Sequence, residues 1–194
     1  MLIISLSAPM QKRKRRFKGH AQSWFYQLKP SKPGEMVQVD HMTVNTSQCS
    51  VKHFQRWDPL SKYIFADVCS NATSRSAKAF LKNLIKSVPF KITSIQVDGS
   101  SEFMKEFEQA CYDKTKSNFN VLPPKRPQYN GRVECGNRIF REEFYARKDM
   151  FADSVGAIKS SLKDALQKYN NYRRHFNLDG LTPLQYINNI HEVI

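Results

Sequence analysis

Three carboxylates stand where oxygen-ligand chemistry would need them. Asp40 lies in the middle of an alternating segment, Asp98 closes a short apolar run, and Glu134 follows after 35 intervening residues, just past Asn130-Gly131. A carboxylate in mid-strand is costly to bury unless it is paired, solvated or bound to a cation. One that ends a strand of an α/β sheet lies at the edge where ligands gather. Taken singly, Asp98-Gly99 reads equally as a turn and Glu134 as a favourable charge in a helix's first turn. Converging on one point, the three would offer the hard oxygen donors that Mg²⁺ or Mn²⁺ requires. The spacing alone is a weak signal, so the elements that carry these residues decide the matter.

From Glu35 the chain alternates in strand fashion, with Met36, Gln38, Asp40, Met42 and Val44 on one face and Val37, Val39, His41 and Thr43 on the other. Val51 to Trp57 and Lys62 to Val68 read as second and third strands, separated by the turn signal Asp58-Pro59, and short links imply an antiparallel meander. Thr73 or Ser74 caps a helix running to Ser87, where Pro89 stops it. Ile92 to Val97 is a fourth strand, Ser101 to Lys114 a second helix, and Asn118 to Leu122 a fifth strand before Pro123-Pro124. Two longer helices follow, Gly131 to Lys148 and Asp153 to Tyr172. The expected domain is α/β, its mixed sheet flanked by helices on both faces. Residues 1–33 read as a flexible basic lead segment, 34–150 as the core, and 151–194 as a C-terminal helix and tail packed on it.

The 194 residues carry 31 Lys and Arg against 17 Asp and Glu, a formal charge of +14. Such an excess suits a polyanion partner, because neutralised phosphates release their counterions. A basic ribosome-associated or membrane-surface protein is the other class it allows. The run Lys12-Arg13-Lys14-Arg15-Arg16 is a solvated tail, an import signal or a DNA-binding arm. Cys49, Cys69, Cys111 and Cys135 form no C-x-x-C pair, which points to free thiols in a reducing compartment. The apolar start precedes the basic run, the reverse of a signal peptide, and no stretch approaches the roughly 20 apolar residues of a membrane span. A cytoplasmic, DNA-associated protein is expected.

The segments PGEMVQVDHMTV (33–44), ITSIQVDGSSEF (92–103) and PPKRPQYNGRVECGNRIFREEFY (123–145) resemble the catalytic blocks of the DDE-type integrase core, shared by retroviral integrases and bacterial insertion-sequence transposases. YNNYRRHFNLDGLTPLQY (169–186) resembles that family's closing signature. The resemblance implies an RNase H-like fold, a five-stranded mixed sheet in the order 3-2-1-4-5, with Asp40, Asp98 and Glu134 as metal-holding catalytic acids. It also implies Mg²⁺ or Mn²⁺, two ions in the usual scheme, DNA ends and target DNA as partners, a homo-oligomer on DNA, and a bacterial cell as the setting. Asp67, in the third strand, matches a non-catalytic family position, and Thr43 and Arg141 match usual ones.

Two positions depart from the pattern. Where many relatives read D-N-G-S-E-F, this chain has Asp98-Gly99-Ser100-Ser101-Glu102-Phe103, and Arg174 replaces a frequent proline. Residues 1–33 are also too short and basic for the helix-turn-helix region that relatives commonly carry. Glu134, Arg138 and Arg141 follow one another at i, i+4 and i+7, along one helix face. With Lys125, Arg126 and Arg132 the two arginines would form a phosphate track, while Tyr129 and Asn130 position a terminal nucleotide. His41 faces away from Asp40 and is expected to pack. The competing functions are a plain RNase H-like nuclease and a catalytically silent DNA-binding remnant.

Overall fold

The computed structural model describes residues 21–23, 30–46, 49–115, 118–122, 131–146 and 154–192. The basic run of residues 12–16 and the aromatic residues 24–26 lie outside them. The strands are β1 (Ala21–Ser23), β2 (Val37–Asn45), β3 (Ser50–Trp57), β4 (Ile64–Cys69), β5 (Ser94–Val97) and β6 (Asn118–Val121). They hydrogen-bond in the order β4-β3-β2-β5-β6-β1. Counted from Val37, five of them reproduce the order 3-2-1-4-5, and the fold is RNase H-like. The lead segment supplies a sixth strand that its composition does not announce, running parallel to β6 with Ala21 opposite Phe119.

The alternation of β2 divides the core as its side chains predict. Val37 and Val39 join Phe54, Ile95, Phe119 and the buried stripe Ala77, Phe80, Leu81 and Leu84 of helix α1 (Ser74–Ser87). On the other face Met42 and Val44 pack with Trp57, Ile64 and Val68 beneath Ile158, Leu162 and Leu166 of helix α4 (Val155–Tyr172). Each such side chain withdrawn from water stabilises the domain by roughly 1.5–3 kcal/mol before entropy is counted. Thr73 caps α1 by accepting from the Ser76 amide, and the chain turns extended at Val88, as a residue before proline prefers. Ser154 caps α4 in the same way, accepting from Ala157.

Two helices differ from the sequence expectation. The stretch read as one helix from Ser101 is broken into a 3-10 turn (Ser101–Phe103) and helix α2 (Glu106–Thr115). Lys105 at the break has φ +53°, a left-handed conformation that no helix continues. The Ser74 hydroxyl, at the start of α1, stitches this break by donating to the Met104 carbonyl and accepting from the Phe107 amide at 3.2 Å. The helix after Gly131 is α-helical only as α3 (Gly131–Ile139) and then widens into a π-turn over Phe140–Tyr145, with Ala146 donating to the Arg141 carbonyl. The wide turn brings Phe140 and Tyr145 against His53 of β3, at centroid separations of 4.4 and 5.6 Å. A last helix, α5 (Pro183–Glu192), closes the chain.

His53 is fully buried, and its Nδ1 lies 2.8 Å from the Tyr145 hydroxyl. Burial pushes its pKa from 6.5 down to about 3, so the folded protein keeps it neutral. Unfolded chains take up a proton at this residue below pH 6.5 while the folded one does not. Its contribution is therefore present above that pH and is lost as pH falls toward the folded value. Urea titrations should show about 2 kcal/mol of lost stability between pH 6.5 and 5, at ~1.4 kcal/mol per pH unit. His53→Gln should flatten that slope, and an unchanged slope would assign it to another group.

Candidate active site

Asp40 occupies the middle of β2 on the face that α3 covers. Its register partner on β3 is Gln55. Helix α3 docks over this pair through Asn137, whose Nδ2 donates to Asp40 Oδ2 at 2.9 Å and whose Oδ1 accepts from Gln55 Nε2 at 2.6 Å. Gly136 lets the helix come this close, since a Cβ there would sit 3.2 Å from the Trp57 ring and 3.3 Å from Gln55 Oε1. Asp40 Oδ1 accepts from the His41 amide at 2.8 Å, so both carboxylate oxygens are oriented. Asn137 escaped the sequence reading, although its position three residues past Glu134 puts it on a neighbouring part of the same helix face.

Asp98 follows the last residue of β5. Ser100 holds it twice, through its amide to Oδ1 at 3.1 Å and its hydroxyl to Oδ2 at 2.6 Å. Ser100 belongs to the loop that departs from the D-N-G pattern, so the departure gives this chain a hydroxyl directly on the second acid. Burial, and after it the nearby charge of Asp98, raise the Asp40 pKa above its usual value, while Asn137 and the His41 amide pull it down. The two aspartates thus sit within electrostatic reach, the charge of Asp98 making ionisation of Asp40 less favourable.

Glu134 is exposed in the first turn of α3. Among the described residues, no group of three or more His, Cys, Asp or Glu side chains lies close enough to hold a metal ion. The chemistry of the aspartate pair nonetheless fits a divalent cation, because a positive ion would relieve the burial and repulsion that raise Asp40. Glu134 forms no three-carboxylate group with that pair in this structure.

The expected DNA contacts divide. Lys125, Arg126, Tyr129 and Asn130 lie outside the described residues, and Arg132 is placed only as a helical position within α3. Arg138 and Arg141 are exposed on α3 and the π-turn. Neither forms a salt bridge with a described residue, whereas Glu143 pairs with Arg173 of the closing signature. Asp67 faces the α1 side, accepting from Asn83 at 3.1 Å and pairing with Lys159 at 3.1 Å, well away from Asp40's face. His41 faces that side too, tilted on Phe54 at 5.5 Å. Its Nδ1 meets Glu102 Oε1 at 2.5 Å, a partner the sequence reading did not assign. All four cysteines are free, and no helix among the described residues is long and apolar enough to cross a membrane.

Residues 115–183 match the family model of the integrase core domain. No curated protein sequence matches the chain. A chain of the simian T-cell lymphotropic virus intasome superposes with a TM-score of 0.71 at 19% identity, covering 82% of this chain and 56% of that one. The HTLV-2 integrase catalytic core domain in complex with magnesium, in its dimeric form, gives 0.66 at 16% identity over 82% of this chain and 99% of that one. The catalytic core domain of BIV integrase gives 0.61 at 20% identity over 82% and 97%. The chain therefore spans just over half of the intasome protein and nearly all of the isolated cores. At these identities the likeness shows the fold. Over residues 115–183, which hold Glu134 and Asn137, the chain is similar to the integrase core domain, and its fold is that of the retroviral integrase catalytic cores.

Proposed function

We propose that this chain is the catalytic core of a DDE-type transposase or integrase, cutting and joining DNA strands with Asp40, Asp98 and Glu134 as metal ligands. The observation that supports the reading is the proximity of Asp40 and Asp98, with the half-buried Asp40 carboxyl raised by burial and by its acidic neighbour, in a chain whose fold matches integrase catalytic cores. Bound Mg²⁺ or Mn²⁺, two ions in this reading, supplies Lewis acidity to the attacking and leaving oxygens of an in-line displacement.

Asp40 and Asp98 offer oxygens whose directions Asn137 and Ser100 fix. Glu134 completes the set from the first turn of α3 when DNA engages that helix. Arg138 and Arg141, with Lys125, Arg126 and Arg132, grip phosphates, and Tyr129 and Asn130 place the terminal nucleotide. Water is the nucleophile in the cut that frees a 3′-hydroxyl, and that hydroxyl attacks target DNA in the joining step. No covalent protein intermediate is required. DNA ends and target DNA are the partners, and a homo-oligomer assembled on DNA is the working form, in keeping with the dimeric and trimeric forms of the HTLV-2 core. A bacterial insertion sequence and a cytoplasmic, DNA-associated site of action complete the reading.

The test is an assay of the full chain with Mn²⁺ and end-labelled duplex DNA. Products joining donor to target are expected. Hydrolysis without joining would make the protein a nuclease, and salt-sensitive binding without either reaction would make it a silent remnant. Glu134→Gln should reduce both reactions to background while DNA binding stays within about twofold of the parent.

A further inference from the structure

The parallel ladder between β2 and β5 is short. It pairs Val37 with Ile95 and Gln38 with Gln96, and there it stops. Asp40 and Asp98 each lie two residues beyond that last pair, where the two strands are no longer tied by their backbones. Something other than the ladder must fix the gap between the acids.

The side-chain contact that spans this opening on the α1 side comes from the next residue of β2 and from the turn that follows Asp98. His41 Nδ1 meets Glu102 Oε1 at 2.5 Å. Glu102 is 6% exposed and His41 22%, and both contacting atoms are withdrawn from solvent. The His41 ring is held by Phe54 and, edge-on at 6.4 Å, by Phe103. Glu102 sits in the 3-10 turn that Ser100 connects to Asp98 and that ends at the break stitched by Ser74. One end of the pair is thus covalently next to Asp40, and the other is four residues from Asp98 on a braced turn.

We infer that the His41–Glu102 pair is a cross-tie that sets the separation of Asp40 and Asp98 and thereby how tightly those acids hold a divalent cation. The inference rests on the functional reading given above. It makes His41 and Glu102 positioning residues, on the opposite face of β2 from the chemistry. Supporting groups behind metal-ligating side chains change metal affinity by about 10–100-fold when removed.

The test is direct binding of Mn²⁺ to the full-length chain without DNA, followed by electron paramagnetic resonance of the free ion, with thermal unfolding of the metal-free protein as the second readout. Glu102→Gln should weaken Mn²⁺ binding about tenfold. His41→Phe/Glu102→Leu removes both polar groups together and suits the flanking aromatic rings, a replacement that tends to preserve or raise stability. That variant is expected to melt at or above the parent's temperature yet bind Mn²⁺ about tenfold more weakly. A merely structural pair would move the two readouts together.

Binding within about twofold of the parent in the folded double variant would overturn the inference. A double variant unable to fold would do so too, because the pair would then support the whole domain. Asp40→Asn separates the two levels of the argument. If it abolishes Mn²⁺ binding while the tie variants leave binding unchanged, the cross-tie alone fails. If Asp40→Asn binds Mn²⁺ like the parent, the metal-site reading falls and the cross-tie falls with it.

Discussion

Asp40→Asn is expected to lower DNA cleavage and joining at least about a thousandfold, or ~4 kcal/mol at 1.36 kcal/mol per tenfold, while making the protein without metal more stable at neutral pH. The two effects have one cause. Burial and the charge of Asp98 raise the Asp40 pKa, so the ionised carboxylate is held against its preference. A carboxyl raised in this way favours the folded state at low pH, and the benefit is lost as pH rises through the folded value. At pH 7 the ionised form therefore costs stability that the neutral amide does not. Asparagine is nearly the same size, and amide rotations along Asn137 and Gln55 can keep the hydrogen-bonded chain across β2, β3 and α3. A gain of about 1 kcal/mol is the usual scale for such relief at functional positions. What the amide lacks is the anionic oxygen pair that a hard cation prefers. Gel assays of joined product and thermal melts at pH 7 and pH 4 measure both halves. The stabilisation should shrink at the lower pH, and a variant that is both active and less stable at pH 7 would sink the assignment of Asp40.

The alternation of residues 36–44 placed Asp40 on the correct face of β2, because side-chain period fixes sheet sides without tertiary information. Strand order came from family resemblance, and the ladder bears it out. The acids themselves were legible as types and positions, but how each is held was not. Asn137, Ser100 and Glu102 act through contacts between elements distant in sequence, and only the folded sheet brings β2, β3, the Asp98 loop and α3 together. Some signals were present and went unread. Thr182-Pro183-Leu184-Gln185 has the spacing of a capping box with proline at the first helical position, and in α5 Thr182 and Gln185 bond reciprocally at 3.0 and 3.2 Å. The break at Lys105 left no comparable mark, since a lysine with φ +53° is imposed by the turn packed against Ser74 rather than by its own preference. Nor does the sequence reveal why Asn170, within the closing signature, is buried. Its amide pairs with both backbone groups of Ile64 at 3.0 and 2.9 Å, substituting for a neighbouring strand at the free edge of β4.

Asp58→Ala is expected to destabilise the domain by about 3–5 kcal/mol, far more than Arg56→Met, although the two residues form one buried ion pair. Arg56 and Asp58 are 0% and 1% exposed and meet at 3.4 Å, a long contact. Burial outweighs Asp58 and lowers the guanidinium pKa to about 10, so Arg56 remains charged at neutral pH. Its other supports are the rings of Phe90 and Tyr63, 4.6 and 5.6 Å from Cζ, and a 3.3 Å bond to the Tyr63 carbonyl. Methionine could occupy much of that aromatic space without a charge. Asp58 without Arg56 would still accept from the amides of Gly34, Leu60 and Ser61 and from the Ser61 hydroxyl, at 2.7–3.1 Å, so its oxygens would keep their hydrogen-bond partners. Alanine at 58 instead strands the guanidinium and leaves those donors unmatched together. Among them is the amide of Gly34, whose φ of +80° and 2.2 Å approach of a would-be Cβ to the Lys91 carbonyl exclude other residues. That glycine fixes the entry into β2, so the loss propagates to the strand that carries Asp40. Urea denaturation of both variants measures the contrast, and equal losses would show that the ion pair, rather than the carboxylate's hydrogen-bond hub, holds this end of the sheet.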